Sequence, residues 1–476
     1  MPRRSSSLLA GAAPAAAGAL ARRRRSGPAA GVVLGRAAGR RFGRPGPLLR
    51  YNGPGRVLTV ALERAGKTTG AVVPNLLDHP GPVVVLDARA EAFALTARFR
   101  ADVLGHRVVA LDPFGLAPDE LFDRPGRPAG RGSVERGTFD PLGAVVRPGS
   151  PDGGWTADGL ARAVDGASGR AALDGVDGAA RSLLAGLVAH VAGGGLRDRP
   201  GGRSLLAVRA ALAGGDRAVA LAAREMGGSA DPFVRRAGDR FGAAGDGERA
   251  HVVRAARAST AFLDGPEVSA AVGGSTFDPD GLRSDPAGRP ADGGHGPLSV
   301  YVVPGRPEAG AGPWRAWLRL TLGGLLTAVE RAGPAPVGRS RAPSGAAARA
   351  LFLLDDAAAL GPGGAAGLSW STSYSDGVLV WALVQSVAQA GAVYDAGLGH
   401  GWMGQDVVQA FGALPGEDAD ALAAWAGRAG RPVAADDLRR WGPEGPVVLQ
   451  EGARPVRARP VPYYDDPTFA GRAGGP

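Results

Sequence analysis

The sequence contains no cysteine. That removes disulfides, thiolate metal sites and cysteine nucleophiles together, and points to a chain kept out of oxidising compartments. Its six histidines are scattered, without the paired spacing of a zinc site. There is no Gly-x-Ser-x-Gly elbow, no His-Glu-x-x-His and no paired-acid spacing for glycoside chemistry, so those enzyme classes are disfavoured. Long apolar runs are missing too. The apolar stretch between the N-terminal arginines, Leu8 to Ala21, is about fourteen residues of mostly Ala and Gly, against roughly twenty good apolar residues for a membrane span. As written, the chain reads as soluble or peripheral. Lysine is almost absent: of 55 basic residues, only Lys67 is not arginine.

Glycine and proline are abundant instead, 78 and 39 of 476 residues, but without the triplet period of a collagen. Hydrophobic content of 45% and this length support a folded body with a sizeable core, comfortable for two domains. The formal net charge is +10, yet residues 1–50 hold eleven Arg and no Asp or Glu, so the remaining 426 residues carry −1. The basicity is therefore a property of the N-terminus, including Arg22-Arg23-Arg24-Arg25, and the body is balanced. Residues 1–45 are expected to be an Arg-rich, disordered tail. Such a tail suits an anionic membrane surface or nucleic acid, or is simply a solvated leader.

From about residue 46, short apolar runs alternate with helical patterns. Arg56 to Ala61 reads as a buried strand and Lys67 to Leu77 as a helix broken near Pro74. Pro82 to Leu86 is a strand ending in Asp87, Glu91 to Ala101 a helix, and His106 to Leu111 a strand ending in Asp112. This alternation is the signature of an α/β fold with a parallel sheet and crossovers. Between 144 and 255 the strand signal gives way to Ala, Leu, Arg and Gly at helical spacing, which predicts an inserted all-α domain. Strands return at Leu298 to Val303, Ala350 to Leu354 and Gly377 to Val384, with an amphipathic helix over Trp314 to Val329 and a Pro/Gly/Ser-rich loop from Gly333 to Gly345. The expected halves of the sheet domain are thus 46–143 and 256–476.

Three segments carry chemistry. Ala61-Leu62-Glu63-Arg64-Ala65-Gly66-Lys67-Thr68, followed by Thr69, lies between a strand and a helix. In that context it reads as a phosphate-binding loop: backbone N–H groups and the helix N-terminus face an anion, Lys67 reaches the β- and γ-phosphates and Thr68 ligates Mg²⁺. Ala61 at the first position is tolerable if its φ is negative. Glu63 beside a triphosphate needs screening by Arg64 or solvent. Second, the strand Leu351 to Leu354 ends in Asp355-Asp356. This is either the acid pair of a P-loop NTPase, one carboxylate at Mg²⁺ and one polarising water, or a solvated turn or helix cap. Third, Gln385 ends the next strand, where an amide can sense a γ-phosphate or orient water. Asp87 and Asp112, also at strand ends, are further candidates on the ligand side of the sheet or plain helix caps.

Together these residues resemble the TraG-like coupling proteins of type IV secretion and conjugation. The resemblance runs through Val57 to Val60, Ala65 to Thr69 and Val73-Pro74-Asn75-Leu76-Leu77. It continues through Asp87-Ala88-Arg89-Ala90-Glu91, similar to the family's Asp-x-Lys-Gly-Glu box, and Asp112-Pro113-Phe114. Further on it includes Phe139-Asp140-Pro141-Leu142, Ser299 to Pro304, Leu353 to Asp356, Gln385 to Gln389 and the Tyr463-Tyr464 end, in order over roughly 45–472. It implies a RecA-like P-loop NTPase domain with an inserted all-α domain, ATP and Mg²⁺ as cofactors, and assembly as a hexamer on the cytoplasmic face of the inner membrane. The implied partners are DNA or a relaxase–DNA complex, type IV secretion channel components and the inner membrane surface.

In that scheme Ala65, Gly66, Lys67, Thr68 and Thr69 hold the nucleotide, and Thr68 and Asp355 serve Mg²⁺. Asp356 orients the attacking water and Gln385 senses the γ-phosphate. A trans-acting arginine is expected for a ring ATPase. Departures are Ala61 for the usual first Gly, Ala65 for Ser or Gly, Asp356 for Glu, and Ser373-Tyr374-Ser375-Asp376-Gly377 in place of a glycine-rich segment. The two N-terminal membrane helices usual in the family have no counterpart here. These departures suggest a truncated or membrane-detached relative with weakened turnover. The alternatives are a hydrolysis-deficient docking receptor of the same fold and another RecA-like DNA translocase.

Overall fold

The computed structural model describes residues 31–37, 40–41, 44–53, 56–146, 157–161, 175–196, 201–283, 296–305, 313–331, 349–362, 377–394, 401–428, 430 and 432–474. The Arg22–Arg25 cluster, the Gly333–Gly345 loop and Ser373 to Asp376 lie outside the described residues.

Twelve strands form one sheet: β1 (Val32–Ala37), β2 (Leu48–Tyr51), β3 (Val57–Val60), β4 (Val83–Leu86), β5 (Arg107–Leu111), β6 (Val134–Arg136), β7 (Leu298–Val302), β8 (Ala350–Leu354), β9 (Val378–Val384), β10 (Val407–Ala410), β11 (Val447–Gln450) and β12 (Val456–Arg459). Their order is β2-β1-β12-β11-β10-β3-β9-β8-β4-β7-β5-β6. From β10 to β6 every pairing is parallel, and the β11, β12, β1 and β2 extension is antiparallel. The central strands are apolar at every position because helices cover both faces.

Alternate residues divide the core in two. Val83, Val85, Leu351, Leu353 and Trp381 face the helices after β3 and β4, whereas Leu58, Val84, Leu86, Phe352 and Leu354 face the remaining helices. The first group of helices comprises α1 (Val73–Asp78), entered through a wide π-helical turn Thr68–Val72, and α2 (Glu91–Arg98), extended by a similar turn Phe99–Val103. The break expected near Pro74 is the junction of turn and helix, where the proline sits in the first turn and needs no N–H.

The helical insertion is larger than the 144–255 expected. Its entrance and exit meet where the Thr276 N–H donates to the Thr138 carbonyl (3.1 Å) and the Phe139 N–H to the Ala271 carbonyl (3.0 Å), with the Phe139 and Phe277 rings stacked. Between them run α3 (Pro141–Val145), α4 (Gly175–Ala192), α5 (Leu205–Ala213), α6 (Asp216–Gly227), α7 (Pro232–Ala243), α8 (Asp246–Thr260) and α9 (Pro266–Val272). Asp140, Ser204 and Asp231 cap α3, α5 and α7 through their side chains. The chain then returns through β7 and α10 (Pro313–Arg331) to the sheet, and α11 (Val387–Tyr394), α12 (Gly416–Arg428) and α13 (Ala435–Trp441) complete the second layer.

The expected disordered tail also needs correction, because Val32–Ala37 is a sheet strand between β2 and β12. Its anchor is a buried asparagine. Asn75 of α1 accepts from the Val33 N–H (2.7 Å) and donates to the Val33 carbonyl (2.9 Å), so its amide mimics a backbone partner. On the opposite side, Thr59 donates to Gln409 (2.9 Å), which donates to the Leu34 carbonyl (2.7 Å), joining β3, β10 and β1. Arg36 closes the arrangement with a two-point ion pair to Asp466 (2.5 and 2.7 Å).

Candidate functional site at the carboxyl edge of the sheet

Parallel register brings the last residues of β3, β9, β8 and β4 to one edge, with Val60 beside Val384, and Leu354 beside Ala382 and Leu86. The loop leaving β3 starts at Ala61, whose φ is not positive and whose methyl is buried. The loop's left-handed positions are Arg64 (φ 60°) and Gly66 (φ 90°). Thus Ala61 costs nothing at the first position, and Arg64 bears the turn that favours glycine. Gly412, at φ 82°, lies close by: a Cβ placed on it would stand 2.9 Å from the Ala65 methyl. Gly412 follows β10, and nothing in the sequence ties it to this loop.

Lys67 points back across the loop, its Nζ donating to the carbonyls of Ala61 (2.8 Å) and Leu62 (2.9 Å). Burial pushes its pKa below the ordinary lysine value, against the opposing pull of Asp355, Asp356 and Glu63. Thr68 Oγ1 donates to Asp355 Oδ2 at 2.7 Å. Thr69 Oγ1 is 3.3 Å from the Gly66 carbonyl, which also accepts from the Gly70 N–H (2.8 Å). Burial raises the Asp355 carboxyl above its ordinary value, with Thr68 and Lys67 working the other way. Asp356 is likewise raised by burial, countered by Lys67 and Arg89, and its backbone is left-handed at φ 59°. The structure therefore brings Lys67, Thr68, Asp355 and Asp356 together from segments nearly three hundred residues apart.

Gln385 follows β9 directly, where the Val384 carbonyl accepts from the Ala61 N–H (3.1 Å). Its own N–H donates to Gln389 Oε1 (2.9 Å), so Gln389 shapes this turn. Glu63 is not screened by Arg64. Its carboxylate stands 3.8 Å from Arg89 on the loop after β4, both side chains largely exposed. Asp112 is spent structurally: it accepts from the Leu116 and Ala117 N–H groups (2.9 Å each) and from Arg136 (2.7 Å). It forms a turn, and no helix starts there for it to cap.

Asp87 is also held by the backbone, accepting from the Phe93 N–H at 2.7 Å. Burial pushes its carboxyl up to about 7, with neighbouring Asp355 adding to the rise. A folded pKa above the unfolded one means that the native state holds the extra proton between about 4 and 7. The stability is present below that window and is lost as pH rises through it. Asp87→Asn keeps an acceptor for Phe93 but cannot titrate. Urea unfolding followed from pH 4 to 8 is expected to show the wild type losing stability relative to Asp87→Asn, with a slope approaching about 1.4 kcal/mol per pH unit. Parallel curves would exclude the buried proton.

Comparisons with known proteins agree with this arrangement. Residues 22–122 match the family described as "Type IV secretory system Conjugative DNA transfer". A conjugal transfer protein TraG of Escherichia coli is 45% identical over 65 residues, 14% of this chain and 10% of that protein. Protein VirD4 of Agrobacterium fabrum is 40% identical over 70 residues, 15% of this chain and 10% of VirD4. These matches span only about a tenth of the length of the curated relatives. The fold is similar over a much longer stretch. The bacterial conjugative coupling protein TrwBΔN70 in complex with sulphate superposes with a TM-score of 0.56 at 14% identity, covering 93% of this chain and 92% of that one. TrwB in complex with ADP and Mg²⁺ gives 0.54 at 13% identity, covering 95% and 94%. The conjugative DNA transfer match takes in the loop after β3, and the chain has the fold of a RecA-like P-loop NTPase with an all-α insertion.

Proposed function

We propose that this chain is an ATP-binding coupling protein of conjugative, type IV secretion-linked DNA transfer, which recruits or moves DNA, as a relaxase–DNA complex or with effector cargo, to the secretion channel. The observation that carries the reading is the convergence of Lys67, Thr68, Asp355 and Asp356 at the carboxyl edge of one parallel sheet, the first two of them within the residues 22–122 that match the conjugative DNA transfer family.

The roles follow from the chemistry of each group. Backbone N–H groups of Ala65, Gly66, Thr68 and Thr69 at the head of the helix favour phosphate oxygens, and the Lys67 ammonium exchanges its two carbonyl partners for the β- and γ-phosphates. The Thr68 hydroxyl and Asp355 carboxylate are hard oxygen donors already within 2.7 Å of one another, a donor set that suits Mg²⁺. When bound there, Mg²⁺ would supply charge neutralisation for the phosphate oxygens. Asp356 accepts the hydrogen bond of the attacking water, and Gln385 orients that water or reads the γ-phosphate. Catalysis of this kind is positioning and charge stabilisation.

Asp356 is one methylene shorter than the glutamate usual in the family, about 1.5 Å of reach. Asp356→Glu is therefore expected to raise kcat roughly tenfold, since an ångström of misplacement at a reacting centre costs orders of magnitude. A fall in kcat with unchanged nucleotide affinity would show that the left-handed turn at Asp356 already places the carboxylate.

The test of the function is ATP hydrolysis by the full chain with and without DNA, alongside DNA binding. Turnover stimulated by DNA supports an ATP-driven coupling protein. Nucleotide and DNA binding without turnover would favour a docking receptor of the same fold, the reading to which the short acid at 356 lends weight. The proposal extends to a homo-oligomer, hexameric by resemblance, at the cytoplasmic face of the inner membrane. Among the described residues no helix is long and apolar enough to cross a membrane. Sedimentation with nucleotide and DNA, and flotation with anionic vesicles, check these two extensions.

A further inference from the structure

The phosphate loop fixes the direction in which a nucleotide must leave it. Lys67 and Asp355 mark the γ-phosphate end, because the lysine of such a loop serves the β- and γ-phosphates and Asp355, beside Thr68, would hold Mg²⁺ at that end. The sugar and base then lie beyond the opposite end, past Thr69 and Gly70. Space is open there: a Cβ on Gly70 meets nothing within 4 Å.

The C-terminal segment runs along that flank. The Tyr463 N–H donates to the Thr69 carbonyl at 3.0 Å, so Tyr464 stands one residue from the first turn after the loop. The segment is firmly held. Asp466 pairs with Arg36, the Asp466 N–H donates to the Pro462 carbonyl (2.8 Å), and the Gly474 N–H donates to the Leu95 carbonyl (2.9 Å). Val461 and Phe469 are buried in a small separate core with Val33, Val73, Leu77 and Leu95, against which Tyr463 packs. The Tyr464 ring stands edge-on to that of Tyr463, with centroids 5.4 Å apart at 81°, and is 65% exposed. A large aromatic on an anchored segment, left open to solvent beside the phosphate loop, has the form of a stacking platform.

We infer that Tyr464 is the surface on which the base of the bound nucleotide stacks, an inference that rests on the phosphate-loop reading of Lys67. Stacking uses the π-face that every base presents, so the platform holds purines with little preference between adenine and guanine. The C-terminal segment thereby becomes part of the nucleotide site, tied to β1 through Arg36 and to the loop's helix through Thr69.

Calorimetric titration of the full chain with ATP, GTP and inorganic tripolyphosphate separates base from phosphate recognition. The wild type is expected to bind ATP and GTP similarly and both more tightly than tripolyphosphate. Tyr464→Ala is expected to weaken ATP and GTP roughly five- to a hundredfold, the range for one stacked base, while leaving tripolyphosphate within about twofold. Tyr464→Phe, which keeps the ring, restores both nucleotides. Unchanged ATP affinity in Tyr464→Ala, or an equal loss of tripolyphosphate, would overturn the platform. Lys67→Ala isolates the premise: if it binds all three ligands as well as the wild type does, the phosphate-loop reading fails independently of Tyr464.

Discussion

Lys67→Arg is expected to be almost as damaging as Lys67→Ala, lowering ATP turnover by about a thousandfold or more, the scale of losing a main charge-stabilising donor. A chain with 54 arginines and one lysine uses arginine at every other basic position, and Lys67→Arg keeps the charge while changing the shape, so a failed exchange at 67 isolates geometry from charge. The Nζ lies between the Ala61 and Leu62 carbonyls at 2.8 and 2.9 Å, folded back into the loop. A compact ammonium on a flexible stem enters that space; a planar guanidinium with five donors in a fixed fork is too broad. In Lys67→Ala a second effect appears, because the cation between Asp355, Asp356 and Glu63 is gone and an incoming triphosphate meets uncompensated carboxylates. Steady-state hydrolysis with parallel nucleotide titration checks both. Retention of a tenth of wild-type turnover by Lys67→Arg would show that the lysine is compositional chance and not a steric requirement.

Much of this site is legible in the sequence because each part is a strand end with a chemically distinct residue after it. Val57 to Val60 running into Gly66-Lys67-Thr68, and Leu351 to Leu354 into Asp355-Asp356, are local patterns. Parallel pairing then aligns them without further information. What remains hidden depends on tertiary contact. Gly412 and Arg89 belong to other loops and meet Ala65 and Glu63 only in the fold. The β1 strand is masked by an arginine-rich neighbourhood, and its pairing depends on Asn75, a polar side chain in an apolar helix face that sequence patterning reads as nothing in particular. The short β10, β11 and β12 strands carry little periodicity of their own, and their place follows from pairing in register with β3 and with one another. The run of helices past 255 to α9 is not legible from patterning, because the place where the chain leaves them is marked by tertiary contacts, Thr276 with Thr138 and Phe139 with Ala271 and Phe277. Asp112 shows the opposite case: a strand-end acid in the right place, fully occupied by its own turn.

Arg100 presents the converse of Lys67. It is fully buried, and all of its hydrogen bonds go to neutral acceptors: the Leu76, His79 and Gly81 carbonyls (2.6, 3.1 and 3.0 Å), Ser299 Oγ (2.8 Å) and His106 Nδ1 (3.1 Å). His106 Nε2 faces the Pro80 carbonyl (3.1 Å) and must therefore carry the proton, which leaves Nδ1 to accept from the guanidinium. Burial lowers the Arg100 pKa to about 10, so the side chain is charged at neutral pH. Its charge is met by carbonyl dipoles at the C-terminal end of α1, where a cation is favoured. Arg100→Met fills similar space but leaves three carbonyls and a histidine nitrogen without this donor, at about 1–3 kcal/mol for each group that stays dry. Offset by the cost of desolvating a guanidinium, the expected net loss is about 3–5 kcal/mol, measurable by urea unfolding followed through tryptophan fluorescence. Arg100→Lys has three donors and no fork, and is expected to recover only part of it. Because the bonded segment Leu76–Gly81 joins α1 to β4, the loss falls on the helix that carries Lys67 and Thr68 at its other end. ATP affinity should then decline in proportion to stability, whereas in Lys67→Arg it declines with stability unchanged. A stable Arg100→Met protein would mean that water replaces the guanidinium, and that the end of α1 is held by packing alone.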